Sequence, residues 1–380
     1  MRKKILILTD YYLPGVKGGG PIQSIRNMVD NLADEFDFYI LTSDRDFGDN
    51  RSYNNIKTDV WLQVGKAKVY YTDKSKLSFR KLDNILNKFA YDIIYLNSFF
   101  SYKFSIMPIL LKRVNRISAK IVLAPRGEFS PGALGLKSNK KKLYIQLSKI
   151  IKMYTDVRWH ATAITEKKDI ESIFGEKVNI FIAGNLTGTY KGLQFKRSIE
   201  KKKNELKVVF ISRIHPKKNL KQALVFLKSL KGNIKFNIYG PIEDKSYWDE
   251  CKEVIEDLPK TISVSYKGVI NHDKVTSVFK SHHVFLFPTL GENFGHVIYE
   301  ALISGCPVII SNQTPWRNLE SIQVGWDIDL SDKNKFIRSL QTCVDMGRDD
   351  YTIISKNAFY YGIKKANKRD NITNTSMLFH

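Results

Sequence analysis

Short apolar runs recur along the chain, and most are followed by a polar loop and then by a helical pattern of apolar positions. In the first half the runs cover residues 5–8, 38–42, 91–96 and 121–124. The series restarts in the second half with residues 206–211, 234–239, 284–287 and 307–310. Largely apolar runs that alternate with helical patterns are typical of parallel sheets, whose strands are buried on both faces. The pattern therefore predicts an α/β protein with two sheets.

Residues 184–205, between the two series, contain glycine, threonine and lysine but few apolar side chains. Such a composition is typical of a linker between domains. A chain of 380 residues is long enough for two domains that each bury a core. We therefore predict an N-terminal domain over residues 1–184 and a C-terminal domain over residues 205–350.

The most informative loop follows the predicted strand at 284–287 and contains Glu292, with Glu300 eight residues further on. A helix that begins near Gly295 and His296 would offer free backbone N–H groups to a phosphate. Eight helical residues rise about 12 Å, so the two carboxylates could hydrogen-bond hydroxyls at opposite ends of an elongated ligand. A nucleotide-sugar has this layout, with its diphosphate in the middle. The alternative is that both glutamates are merely solvated.

Two other loops place charged residues where parallel sheets bind ligands, outside the carboxyl ends of strands. Arg213 and Lys218 follow the strand at 206–211, and together with a helix start they could share one diphosphate. Arg126 and Glu128 follow the strand at 121–124 and are candidates for acceptor or donor contacts. For Arg126 and Glu128 the alternative is a structural turn with a salt bridge.

The segment Glu-Asn-Phe-Gly-His-Val-Ile-Tyr-Glu-Ala-Leu that starts at Glu292, followed by Gly-Cys-Pro-Val from Gly305, resembles the E-x7-E signature of family 4 retaining glycosyltransferases. That family has the GT-B fold, in which two Rossmann-like domains face each other across a cleft. The resemblance implies a hexosyl- or glycosyltransferase of the EC 2.4 class that needs no metal and no cofactor. It also implies that a C-terminal helix, about 351–380, packs back on the first domain.

The same resemblance assigns roles to individual residues. It implies catalytic roles for Glu292, Arg213 and Lys218. It implies donor contacts from a larger set: Gly19, Gly20, Val269, Ile270, Asn293, Phe294, Gly295, His296 and Glu300. Many family members have a histidine where this chain has Pro-Arg-Gly-Glu from Pro125, a variant that resembles bacterial surface-polysaccharide transferases.

The chain is strongly basic, with a formal net charge of +23. Residues 1–204 contain 37 Lys and Arg against 19 Asp and Glu, and residues 103–158 contain 13 against two. Such a concentration favours a polyanionic partner, although general solubility would also explain it. Within it, residues 137–154 predict a helix whose stripe of Leu143, Leu147, Ile150, Ile151 and Tyr154 packs in the core. The alternative is a basic amphipathic helix resting on an anionic membrane.

The resemblance implies a retaining transfer of sugar from a UDP- or GDP-type donor. The basic first half suggests a glycan acceptor linked to polyprenyl diphosphate, in capsule, O-antigen or exopolysaccharide synthesis. A soluble or protein acceptor is the alternative within the enzyme class, and a basic nucleic-acid-binding protein is the alternative outside it. Three scattered cysteines and the absence of an apolar run of about 18 residues predict a cytoplasmic protein. The basic first half favours a peripheral position on the inner face of the cell membrane.

Overall fold

The computed structural model describes residues 2–135, 138–188, 193–197, 199–366 and 369–380. The chain forms two compact units. The first comprises Met1–Thr189 and Lys368–His380, and the second comprises Tyr190–Asn367.

The first unit is built on a sheet of eight described strands: β1 (Lys3–Leu8), β2 (Phe36–Ser43), β3 (Trp61–Val64), β4 (Ala67–Thr72), β5 (Ile93–Leu96), β6 (Lys120–Leu123), β7 (Val157–Ala161) and β8 (Ile180–Ile182). Their order is β3-β4-β2-β1-β5-β6-β7-β8. Neighbouring strands pair in parallel, except for the antiparallel pair β3–β4. The direction of the strand order reverses between β1 and β5, which is where ligands bind in doubly wound sheets.

Helices cover both faces of this sheet: α1 (Gly20–Leu32), α2 (Phe79–Leu86), α3 (Met107–Arg113), α4 (Pro131–Gly135), α5 (Ser138–Ile150) and α6 (Ile164–Phe174). Two apolar clusters fill the space between sheet and helices, one on each face. Strand β1 is apolar from Ile5 to Leu8 because both faces of the sheet are covered: Leu6 and Leu8 belong to one cluster, and Ile5 and Ile7 belong to the other.

The second unit is built on six described strands: β9 (Glu205–Ile211), β10 (Asn233–Tyr239), β11 (Ile262–Tyr266), β12 (Val284–Phe287), β13 (Val308–Ser311) and β14 (Gly325–Ile328). All pair in parallel, in the order β11-β10-β9-β12-β13-β14. This is the strand order of the Rossmann fold, and it reverses between β9 and β12. The helices are α7 (Leu220–Leu227), α8 (Lys245–Glu256), α9 (His272–Lys280), α10 (His296–Ile303), α11 (Lys333–Asp345) and α12 (Arg348–Ala366).

The sequence predicted that a C-terminal helix over about 351–380 packs on the first domain. The structure divides this segment between the two units instead. Helix α12 belongs to the second unit because Tyr351, Ile354 and Ala358 are buried in that unit's core. Only α13 (Arg369–Met377) and the residues after it belong to the first unit, where Phe379 is fully buried.

The predicted linker at 184–205 is also shorter in the structure, because part of it is bound to the second unit. The guanidinium of Arg197 donates to the carbonyl oxygens of Gly305 and His282. The ammonium of the buried Lys201 donates to Met346 O at 2.8 Å. These contacts show that Arg197 and Lys201 belong with the second unit.

The predicted core stripe of the 137–154 helix was wrong for four of its five residues. Leu143, Leu147, Ile150 and Ile151 are exposed, and only Tyr154 is buried. The helix is rotated instead so that Tyr144 and Ile145 face the core, with the Tyr144 ring 5.5 Å from that of Phe99. Residue 137, the predicted start, lies outside the described residues.

Candidate active site

The loops after β9 and β12 form one continuous surface at the point where the strand order of the second unit reverses. Leu290 N donates to Lys217 O at 2.9 Å. Asn219 Nδ2 donates to Pro288 O at 2.8 Å. Because β9 and β12 are paired neighbours, both loops leave the sheet at the same edge. The structure therefore brings the two predicted charged loops together.

Lys218 and Glu292 form a short ion pair between the ammonium and Oε1 at the centre of this surface. Their side chains are 12% and 16% exposed, so both are partly desolvated yet open to a ligand. The ammonium also lies 5.7 Å from the centroid of the Phe287 ring at the end of β12. Glu292 is held through its backbone, since its N–H donates to Gln313 O at 2.9 Å.

Helix α10 begins directly after this loop, and its first residue is His296, as predicted. Gly295 precedes it with φ of 76°, in the left-handed region that favours glycine. A Cβ on Gly295 would lie 2.8 Å from Ile298 Cδ1, so a side chain there would also collide. No side-chain cap occupies the helix start, which suits an anion bound by its amides.

The approach to α10 is held by an aromatic cluster that the sequence did not reveal. Trp316 Nε1 donates to Phe294 O at 2.6 Å, and the ring centroids of these residues are 5.6 Å apart. The Phe294 ring also lies 4.8 Å from the imidazole of His296. These contacts hold the half-buried Phe294 in a defined position before the helix.

Glu300 lies in the second turn of α10 and is buried. Its Oε1 is 2.9 Å from Nε2 of His272, the first residue of α9. The loop before α9 contains the exposed Val269 and the half-buried Ile270. His272 was missed by sequence reasoning, because a partner 28 residues away in the chain has no local signal.

Arg213 follows β9 and pairs with a second residue that the sequence did not reveal. Its Nη1 lies 2.8 Å from Glu243 Oε2, in the loop after β10. The two loops lie side by side, since Ile214 N donates to Pro241 O at 2.8 Å. The ion pair fixes the guanidinium while leaving its side chain about one-third exposed, at 36%.

In the first unit, Arg126 is bound by three protein groups. Its guanidinium donates to Asn97 Oδ1 at 2.7 Å, to Asn185 Oδ1 at 2.6 Å and to Tyr95 Oη at 2.8 Å. The hydroxyl of Tyr95 in turn lies 2.8 Å from Nδ1 of the buried His160. Arg126 therefore joins the ends of β5 and β6 to the segment after β8.

Glu128 is also bound within the first unit. Its carboxylate accepts hydrogen bonds from Ser98 Oγ at 2.8 Å and from the backbone N–H of Phe99 at 2.6 Å. Burial raises the pKa of Glu128, against the opposite effect of these hydrogen bonds. The proposed acceptor contacts of Arg126 and Glu128 stay predictions, while their structural contacts are clear.

The glycine loop of the first unit precedes α1 as expected. Gly19 has φ of 65°, and Gly20 is the first residue of the helix. Asp46 holds the loop, because its Oδ2 accepts from Val16 N at 2.7 Å and from Lys17 N at 3.0 Å.

Comparison with known proteins identifies the second unit. Residues 193–357 match the family model described as "Glycosyl transferases group 1". The second unit is a group 1 glycosyltransferase domain. The resemblance found in the sequence is thus confirmed.

Two curated relatives are similar to part of this chain. An uncharacterized 41.2 kDa protein in the cps region of Klebsiella pneumoniae is 26% identical over 262 residues, which are 67% of this chain and 70% of the relative. An uncharacterized glycosyltransferase of Methanocaldococcus jannaschii is 26% identical over 195 residues, which are 47% of this chain and 48% of the relative.

Solved structures confirm the GT-B fold. Sucrose-phosphate synthase from Thermosynechococcus elongatus has a TM-score of 0.70 at 14% identity, over 100% of this chain and 98% of that one. Anabaena HepE, in complex with UDP and glucose, has a TM-score of 0.69 at 14% identity, over 99% and 98% of the two chains. WaaG, a glycosyltransferase involved in lipopolysaccharide biosynthesis, has a TM-score of 0.67 at 12% identity, over the same shares.

Two features are absent from the described residues. No helix among them is long and apolar enough to span a bilayer. No group of three or more metal-ligating side chains was found in the same part of the chain.

Proposed function

We propose that this glycosyltransferase moves a sugar from a UDP- or GDP-type donor to a glycan acceptor with retention of the anomeric configuration. The observation on which the proposal rests is the Lys218–Glu292 ion pair beside the uncapped start of α10, with the buried Glu300 one turn further along the helix. This arrangement offers cationic and amide groups to a diphosphate and carboxylates to hydroxyl groups on either side of it.

The donor's diphosphate would lie at the start of α10, within reach of Lys218 and Arg213. Glu292 would bind hydroxyls of the transferred sugar, and Glu300, oriented by His272, would bind the ribose. As the bond from the anomeric carbon to the diphosphate oxygen breaks, negative charge grows on the leaving group. Preorganised cations and amide dipoles stabilise such charge. We propose that Val269, Ile270, Asn293, Phe294 and His296 complete the donor site. The donor contacts of Gly19 and Gly20 stay predictions.

The acceptor hydroxyl would attack on the face from which the diphosphate leaves. Its oxygen bonds to the anomeric carbon, and its proton passes to the departing phosphate oxygen. No protein base is then required, and the positive charge of Lys218 and Arg213 takes the place that a metal ion has in other transferases. We therefore propose a reaction that proceeds without metal or cofactor.

The donor and the acceptor are proposed from the comparisons and from charge. The HepE structures contain UDP with glucose or UDP-glucose, which supports a nucleotide-sugar donor of the UDP type. The name of the Klebsiella relative places it in a cps region, which supports a role in surface polysaccharide synthesis. The basic first half of the chain suits an acceptor linked to polyprenyl diphosphate on the cytoplasmic side of the membrane.

Thermal shift with UDP-, GDP- and ADP-sugars, in EDTA, tests the donor site. We expect one nucleotide class to raise Tm for the wild type and for Glu253→Ala, a control on the exposed side of α8, but not for Glu300→Ala. The anomeric proton coupling of the NMR spectrum then shows whether configuration is retained. Stabilisation by none of these donors, or only by nucleic acid, would reject the proposal. Inversion at the anomeric carbon would reject the retaining mechanism.

A further inference from the structure

Helix α5 exposes a row of apolar side chains on the face opposite its buried one. Positions i, i+4 and i+7 share one face of a helix. The row consists of Leu143 (58% exposed), Leu147 (52%), Ile150 (75%) and, directly after the helix, Ile151 (57%). The other face packs into the core through Tyr144 and Ile145. The helix is therefore fixed in the fold, and the α5 row is not a consequence of poor packing.

Lysines surround the α5 row, and the segment that contains the row has no acidic residue. Residues 138–152 contain five lysines and no aspartate or glutamate. Lys140, Lys142, Lys149 and Lys152 are exposed. The two carboxylates nearest in the chain are already engaged, Asp156 in an ion pair of 3.8 Å with Arg113 and Glu128 in hydrogen bonds to Ser98 and Phe99. This face thus combines apolar area with uncompensated positive charge.

We propose that the α5 row rests on the surface of an anionic phospholipid bilayer. A helix that lies in the plane of a bilayer buries apolar side chains among the acyl chains while its lysines bind lipid phosphates. The charge favours an anionic bilayer as the binding partner, because lysines around the row without acidic residues are complementary to a uniformly negative surface. The proposal rests on the membrane location given above, but it concerns a surface separate from the donor site.

Sedimentation with vesicles tests this surface. We expect the full chain to pellet with vesicles containing phosphatidylglycerol, to pellet far less with pure phosphatidylcholine, and to be released in part by 0.5 M salt. Leu147→Gln/Lys149→Glu should reduce binding at least tenfold. Ile353→Gln/Lys356→Glu makes the same two changes on exposed positions of α12 and should bind like the wild type. Unchanged Tm shows that the variants fold.

A fluorescent label tests the depth of contact. The three native cysteines are buried, so a single introduced cysteine can be labelled selectively. A polarity-sensitive dye on Ile150→Cys should shift to the blue with anionic vesicles, whereas the same dye on Ile353→Cys should not. Equal shifts at both positions, or none at Ile150→Cys, would overturn the proposal.

Other outcomes separate this proposal from its alternatives. Failure of the wild type to bind anionic vesicles would overturn it. A wild-type dimer that Leu147→Gln converts to a monomer would assign the row to a second copy of the chain instead. Glu300→Ala should lose donor stabilisation but still sediment with vesicles, while Leu147→Gln/Lys149→Glu should show the reverse. The surface and the proposed function can therefore fail independently.

Discussion

Both units place charged side chains just after parallel strands, yet the partners of those charges differ. In the first unit Arg126 donates to Asn97, Asn185 and Tyr95, and Glu128 accepts from neutral donors. In the second unit Lys218 and Glu292 pair with each other beside an uncapped helix start. A charged side chain at a strand end therefore takes its role from its partners and not from its position.

The largest expected effect is on catalysis, and it concerns the charged pair of the second unit. Glu292→Gln should lower kcat/KM about 10²-fold or more, because a preorganised polar contact to the reacting sugar is lost. Its partner Lys218 remains next to the Phe287 ring, so we expect unfolding to change by less than about 1 kcal/mol. Steady-state transfer and thermal denaturation measure the two quantities. Normal transfer by this variant would show that the second-unit pair is only structural.

The next effect is on stability in the first unit. Arg126→Ala removes three hydrogen bonds and leaves Tyr95, Asn97 and Asn185 without the donor they now have. We expect a loss of about 3 kcal/mol in the free energy of unfolding, measured in urea, with donor affinity unchanged. A raised acceptor KM in the folded variant would show that Arg126 contacts the acceptor as well. A stability equal to that of the wild type would contradict the structural role.

A smaller effect should be shared by both units, because each buries a neutral histidine. Burial lowers the pKa of His160 and of His283 to about 3. Between pH 6.5 and about 3 the unfolded chain binds protons that the folded chain does not. Stability is therefore fully present above pH 6.5 and falls on acidification, by about 2 kcal/mol per histidine at pH 5.

Urea unfolding across this pH range provides the measurement. His160→Gln should reduce the pH dependence of the free energy of unfolding by the contribution of one histidine, whatever the substitution does to stability at pH 7. An unchanged pH slope in that variant would show that His160 titrates normally in the folded state.

The smallest effect compares the two glycine helix starts. Both Gly19 and Gly295 have positive φ, but only a Cβ on Gly295 would meet a neighbour. Gly19→Ala should cost about 1 kcal/mol from backbone strain alone, and Gly295→Ala about 1 kcal/mol more. Equal losses in the two variants would contradict the close contact with Ile298.

Local pattern predicted most of the fold, since buried parallel strands and glycine-bounded helices leave continuous signals in the sequence. It also singled out Glu292 and Lys218 as candidates, because each lies at a strand end or a helix start, and the structure brings the two together. The contacts that decide their environment come from distant residues, such as His272 for Glu300 and Glu243 for Arg213, and local pattern has no access to these. For the same reason the sequence predicted the wrong face of α5 to be buried, because its two apolar faces can be told apart only by what packs against them.

Calorimetric titration with UDP and GDP tests the central claim, that the nucleotide binds to the second unit through Glu300. The account predicts that one of the two binds the wild type, that Glu300→Gln weakens it at least about tenfold by removing a charged hydrogen bond to the ribose, and that Arg126→Ala leaves its affinity unchanged. Full affinity in Glu300→Gln, or loss of binding in a folded Arg126→Ala, would contradict the account.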